Sequence, residues 1–163
     1  MTDNQQSTPN TSTVTTPAER EIHIERVFNA PRERLFAAFT DPELTSQWWG
    51  PRGTTTVVVE MDVRPGGIWR FVSKDSDGSE FGFRGVYREV APPERLVQTF
   101  EFEGMPGYIS LETAIFEDLG DGRTKITSDV IFYTNEERDG MLSAGMEKGM
   151  NESFERLDEL LAT

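Results

Sequence analysis

The chain has no cysteine and only one histidine, His23, in 163 residues. Without cysteine there is no thiolate nucleophile, cysteine-ligated zinc, iron–sulfur cluster or disulfide framework, and a reducing, cytoplasmic setting is the natural expectation. One imidazole leaves too little material for a histidine-based triad or a histidine metal cluster. Neither metal nor cofactor is expected, and no catalytic residue is assigned. Positive charge is also in short supply: 16 Lys and Arg stand against 29 Asp and Glu, a formal net charge of −13. Nucleic acid and anionic lipid surfaces would be repelled by that mean field. The basic residues are scattered singly or in pairs from Arg20 to Arg156, beside acids, as on a solvated surface. No apolar run reaches the length of a membrane span, and the N-terminus has neither the basic start nor the apolar stretch of a secretory signal.

The material that is present suits one globular domain. Apolar residues make up 36% of the chain and there are 14 glycines, close to ordinary globular composition. Residues 1–18 (MTDNQQSTPNTSTVTTPA) hold one charged residue, Asp3, and beyond Met1 one sizeable aliphatic, Val14. Such a stretch cannot bury enough apolar surface to offset its ordering entropy. It is expected to be a disordered polar tail, leaving 19–163 as the folded domain.

From Glu21 the pattern alternates, with Ile22, Ile24 and Arg26 on one side and His23, Glu25 and Val27 on the other, which predicts a first strand. Pro31 and then Asp41-Pro42 open two short helices, the second closing at Trp48-Trp49 before Gly50-Pro51. Strands are predicted over 54–63, 68–74, 81–90, 96–103, 109–117 and 125–133, separated by turn residues such as Asp75-Ser76-Asp77-Gly78 and Gly120-Asp121-Gly122. A long helix is predicted over 135–161, opened by a capping box of Thr134 and Glu137. Its apolar stripe is Leu142, Met146, Met150, Phe154, Leu157 and Leu161. The order predicts an α+β fold, with an antiparallel sheet packed on the long helix.

Two features point to a site. Trp69 and Phe71 share a strand face, as do Phe81, Phe83 and Tyr87, and Phe100 and Phe102. These rings either fill the space between sheet and helix or line a cavity for an apolar or aromatic ligand. Gly140, Gly145 and Gly149 lie within the predicted helix, each at a cost of about 1 kcal/mol relative to alanine. They either admit a close backbone approach or leave room for a ligand beside the adaptable Met141, Met146 and Met150. His23 has the opposite parity to Ile22 and Ile24, so it is expected to face solvent or be a satisfied structural residue.

The runs Arg26-Val27-Phe28-Asn29-Ala30-Pro31, Asp41-Pro42-Glu43-Leu44, Gln47-Trp48-Trp49-Gly50-Pro51, Asp62-Val63-Arg64-Pro65-Gly66-Gly67-Ile68-Trp69-Arg70, Gly85-Val86-Tyr87 and Pro92-Pro93-Glu94-Arg95-Leu96 occur in that order. Together they resemble the Hsp90-ATPase-activator-like (Aha1 C-terminal-like) family of the Bet v 1-like, START-related (SRPBCC) superfamily. The likeness spans Glu21 to Leu161, and the segment from Gly145 to Leu157 is similar to one bacterial branch. It implies a helix-grip fold, with a curved sheet of roughly seven strands around the C-terminal helix and two short helices after the first strand. It also implies a cavity that in the superfamily takes hydrophobic molecules and in some branches supports cyclisation or dehydration. The eukaryotic co-chaperones carry a further N-terminal domain where this chain has about 18 polar residues, so Hsp90 stimulation is not the expected activity.

The expected function is binding of a small hydrophobic or aromatic molecule by a monomer or homodimer. By strand parity, the cavity should be lined by Trp69, Phe71, Phe83, Tyr87, Phe100, Leu111 and Thr113. Met141, Gly145 and Met146 should border it from the helix, with Trp48 or Trp49 near the mouth. The alternatives are a cyclase- or dehydratase-type enzyme using Tyr87 or an inward carboxylate, and a co-chaperone-like interaction module.

Overall fold

The computed structural model describes residues 12–163. In chain order the elements are β1 (Thr13–Thr15), β2 (Glu21–Phe28), α1 (Arg32–Thr40), α2 (Pro42–Trp48), β3 (Thr55–Met61), β4 (Ile68–Lys74), β5 (Glu80–Ala91), β6 (Arg95–Phe102), β7 (Ile109–Gly120), β8 (Arg123–Ile131), α3 (Asn135–Ser143) and α4 (Met146–Leu161). The strands form one curved, open antiparallel sheet in the order β1-β2-β8-β7-β6-β5-β4-β3. This is the expected α+β helix-grip fold. Seven strands match the predicted segments, and the eighth is β1.

β1 corrects part of the predicted tail. Val14 pairs with Ile24 of β2 and packs on the cluster around Ile22, Ile24, Val130 and Phe132. A single aliphatic side chain is enough here because an edge of the sheet is waiting to be paired. Residues 1–11 of that predicted tail lie outside the described residues.

The second correction concerns the long helix. It is two helices, α3 and α4, divided at Ala144-Gly145. Gly145 has φ +83° and serves as the N-cap of α4, a left-handed conformation that costs an L-residue roughly 1–2 kcal/mol. The apolar spacing continues across the break, so periodicity alone does not reveal it. At the start of α3, Thr134 Oγ1 accepts from the Glu137 amide at 3.1 Å, as predicted. The Glu137 carboxylate accepts from the Thr134 hydroxyl at 3.3 Å instead of from the Thr134 amide.

The inward sheet face meets α1, α2 and α4 around Phe28, Leu35, Trp48, Trp69, Phe116 and Leu157. Phe28 meets Phe154 of α4 edge-to-face, with ring centroids 5.3 Å apart. Inside this core Arg26, 3% exposed, sets its guanidinium on Asp158 of α4 with bonds of 3.1 and 2.7 Å. It also lies 4.5 Å over the Phe28 ring. The α2 end is tied to α4 by Arg156, which donates to the carbonyls of Gln47, Gly50 and Pro51. The Gly50 amide donates to Ser153. These bonds fix Trp48 and Trp49 against the inner sheet face.

Candidate functional site

Register decides which side chains face inward. Phe71 of β4 pairs with Phe83 of β5, Phe83 with Phe102 of β6, and Phe100 with Ser110 of β7. Between this face and α3 lies a cavity of about 600 Å³, within the range of small-molecule sites. Its sheet wall is Phe81, Phe83, Phe100, Phe102, Ser110 and Phe132, and its helix wall is Gly140, Met141 and Ala144. Met105 and Tyr108 of the β6–β7 loop stand at the rim, both more than half exposed. Glu136 and Glu137 contribute its only formal charges among the described residues. The rings interlock: Phe83 is 5.0 Å from Trp49, 5.7 Å from Phe100 and 5.3 Å from Phe102, centroid to centroid. Gly85, between Phe83 and Tyr87 on β5, makes room for Trp69. A Cβ there would overlap the Thr99 carbonyl and crowd Trp69 Nε1.

A second cavity of about 90 Å³ lies deeper. It is bounded by Trp48, Trp49, Phe71 and Tyr87, with Gln98, Glu112 and Ser128 supplying polar groups. Gln98 and Glu112 are cross-strand partners. They are the next inward pair after Phe100 and Ser110, about 7 Å further along the strands. Burial pushes the Glu112 carboxyl up to about 7 and raises the Tyr87 phenol from its usual value. Among the described residues no cation offsets the desolvation of Glu112.

The structure therefore redistributes the expected site residues. Phe83, Phe100 and Met141 stand on the large cavity. Trp48, Trp49, Phe71 and Tyr87 stand on the small one. Trp69 is buried core, and Met146 packs with Met150 on the Ile22–Val130 cluster. Trp48 is 3% exposed and donates from Nε1 to the Ala38 carbonyl at 2.9 Å, so it is a core residue and not part of a mouth. Leu111 and Thr113 are on the wrong face. They pair with Thr99 and Val97, while Ser110 and Glu112 pair with the inward Phe100 and Gln98. Gly145 borders neither cavity, and a Cβ on it would meet nothing within 4 Å. It is there for the helix break.

Phe81, Phe102 and Gly140 were singled out in the sequence as clustered rings and a helix glycine but not placed among the lining residues, and the residues missed outright include Met105, Tyr108, Ser110, Phe132 and above all Glu112. Phe102 was legible by parity with Phe100. Ser110 and Glu112 were not, because polar residues on alternate positions of a strand normally face water. His23 is on the outer face, bonded through Nδ1 to Asp129 at 2.6 Å and through Nε2 to Glu25 at 2.7 Å. It is a satisfied structural residue. Among the described residues no cluster of three or more His, Cys, Asp or Glu could hold a metal, and no helix is long and apolar enough to cross a membrane.

A curved antiparallel sheet gripping C-terminal helices over an apolar chamber defines a helix-grip, Bet v 1-like domain, a class of ligand-binding or co-chaperone-like modules. Comparison with known proteins makes the assignment particular. The chain belongs to the family described as Activator of Hsp90 ATPase homolog 1-like protein, which matches residues 29–162. Among solved structures, a Rhodobacter sphaeroides protein is 27% identical with a TM-score of 0.87, covering 93% of this chain and 98% of its own. An Arthrobacter aurescens protein is 25% identical with a TM-score of 0.84, covering 92% of this chain and 91% of its own. An AHSA1 protein of Silicibacter pomeroyi is 26% identical with a TM-score of 0.72, covering 87% of this chain and 97% of its own. No match is found among curated proteins.

Proposed function

We propose that the protein binds a small hydrophobic or aromatic molecule in the chamber between β5–β7, Phe132 and α3. The observation that carries this is a volume of about 600 Å³ walled by Phe81, Phe83, Phe100, Phe102 and Phe132. Rings facing an open chamber of that size lack packing partners on that side, and an apolar occupant would supply them. Gly140 is the means of testing it. It lies on the chamber wall in α3, and a Cβ there meets nothing within 4 Å. Gly140→Leu therefore intrudes on the chamber while improving helix propensity. Titration with the neutral fluorophore N-phenyl-1-naphthylamine should give saturable enhancement with the native chain and at least roughly tenfold weaker binding with Gly140→Leu. Equal binding by both, or none by the native chain, refutes the proposal.

A second reading is favoured by Glu112. A carboxyl near neutral pKa among rings is what a cyclase- or dehydratase-type reaction would use as acid or base. Turnover of a bound aromatic polyketide that is abolished by Glu112→Gln would establish it.

A further inference from the structure

The shape of the chamber restricts the size of its occupant, and its charge restricts the occupant further. Among the described residues lining the two cavities there is no Lys, Arg or His. The charged groups present are all carboxyls: Glu136 and Glu137 where α3 begins, and Glu112 at the deep end. Glu137 is partly engaged by Thr134. Glu112 has no cation as partner among the described residues.

Around Glu112 stand Gln98 of β6, Ser128 and Val130 of β8, Tyr87 of β5 and Thr45 of α2, with apolar cover from Phe71 of β4, Phe39 of α1 and the Trp49 ring that follows α2. Only Tyr87 among them titrates, and burial keeps its phenol protonated. A carboxylate ligand entering this chamber would shed its water and meet acids with no counter-ion, which is unfavourable on both counts. A protonated amine would meet the reverse: a carboxylate to accept its hydrogen bonds and ring faces to rest on. The Phe83 ring lines the large cavity and stands against Trp49, which lines the small one. These two rings, 5.0 Å apart centroid to centroid, partition the cavities, and they must part for a head group to reach Glu112 from the large one.

From the lining of both cavities we infer that the occupant is an apolar or aromatic molecule bearing a basic nitrogen, its carbon skeleton in the Phe83–Phe100–Phe102 chamber and its ammonium on Glu112. This rests on the chamber reading above and adds the ligand's charge to it. Free fatty acids and aromatic carboxylates are selected against.

Three probes with one skeleton test it: 2-(1-naphthyl)ethylamine, 2-(1-naphthyl)ethanol and 1-naphthylacetic acid, titrated into the full chain at pH 8 and followed by Trp fluorescence. The amine should bind roughly ten- to a hundredfold more tightly than the alcohol, and the acid more weakly than both. At pH 5.5, where Glu112 holds its proton, the preference for the amine should shrink. Glu112→Gln should bring the amine-to-alcohol affinity ratio down to about one. Gln98→Lys, which sets a cation beside Glu112, should likewise abolish the amine preference, so the outcome does not depend on one variant folding. An acid that binds as tightly as the amine, or an amine-to-alcohol ratio unmoved by both variants, overturns the inference while leaving the chamber intact. Failure of all three probes overturns it together with the chamber reading.

Discussion

The break between α3 and α4 makes opposite demands on two glycines five residues apart. Gly140 has an ordinary helical backbone with open space where a Cβ would go. Alanine there gains up to about 1 kcal/mol of helix propensity. Gly145 also has open space, but at φ +83° an L-side chain is strained by roughly 1–2 kcal/mol. Part of that is offset by the reduced freedom of the unfolded chain, worth about 0.4–1 kcal/mol. Gly145→Ala is thus expected to destabilise by about 1 kcal/mol where Gly140→Ala stabilises by a similar amount. For a domain of this size each kcal/mol moves Tm by about 2–4 °C, so the variants should fall on either side of the parent in thermal and urea unfolding. Equal stabilisation by both would mean that one continuous helix runs through residue 145, and the description of the break would be wrong.

Other expectations follow from the core and from its titrating groups. Asp158→Ala leaves the buried Arg26 guanidinium without a counter-ion and should cost about 3 kcal/mol or more in urea unfolding, whereas Arg26→Met with Asp158→Leu should recover most of that loss. Trp48→Phe removes the bond to Ala38 and some packing volume. It should cost about 1–3 kcal/mol without changing the circular dichroism of the native state. Stability should also decline as pH rises through neutrality. Glu112 holds its proton more tightly folded than unfolded, so its contribution is lost as pH rises from about 4.5 to about 7, and Glu112→Gln should flatten that window in pH-dependent denaturation. The His23 imidazole is raised by Glu25 and Asp129. Its contribution is full below about pH 6.5 and is lost as pH climbs through the raised folded value, a loss that His23→Gln should remove.

Most of the architecture was legible because it depends on local chemistry. Alternation from Glu21, the Asp41-Pro42 start and the turn at Asp75–Gly78 place their elements without tertiary information. Asp41 caps α2 through the Glu43 amide at 2.9 Å, and Gly78 takes the left-handed turn position. The misplaced parts depend on partners far away in sequence. Val14 enters a strand only because the β2 edge is available. Leu111 and Thr113 look like inward residues when β7 is read alone, and only pairing with β6 shows that Ser110 and Glu112 hold that face.

The sequence by itself determined what the site is made of. Clustered rings, thioethers, helix glycines and an excess of carboxylates over bases are composition and spacing, and they describe an apolar chamber with little nucleophilic chemistry. Tertiary structure alone decided which rings face the chamber and which become core, since that turns on strand register. It also decided that Glu112, on a strand that turns Leu111 outward, carries its carboxyl inside with Ala114 and Phe116. A one-residue change of register reverses the face of every side chain on a strand, and register is set by cross-strand pairing that β7 does not encode alone.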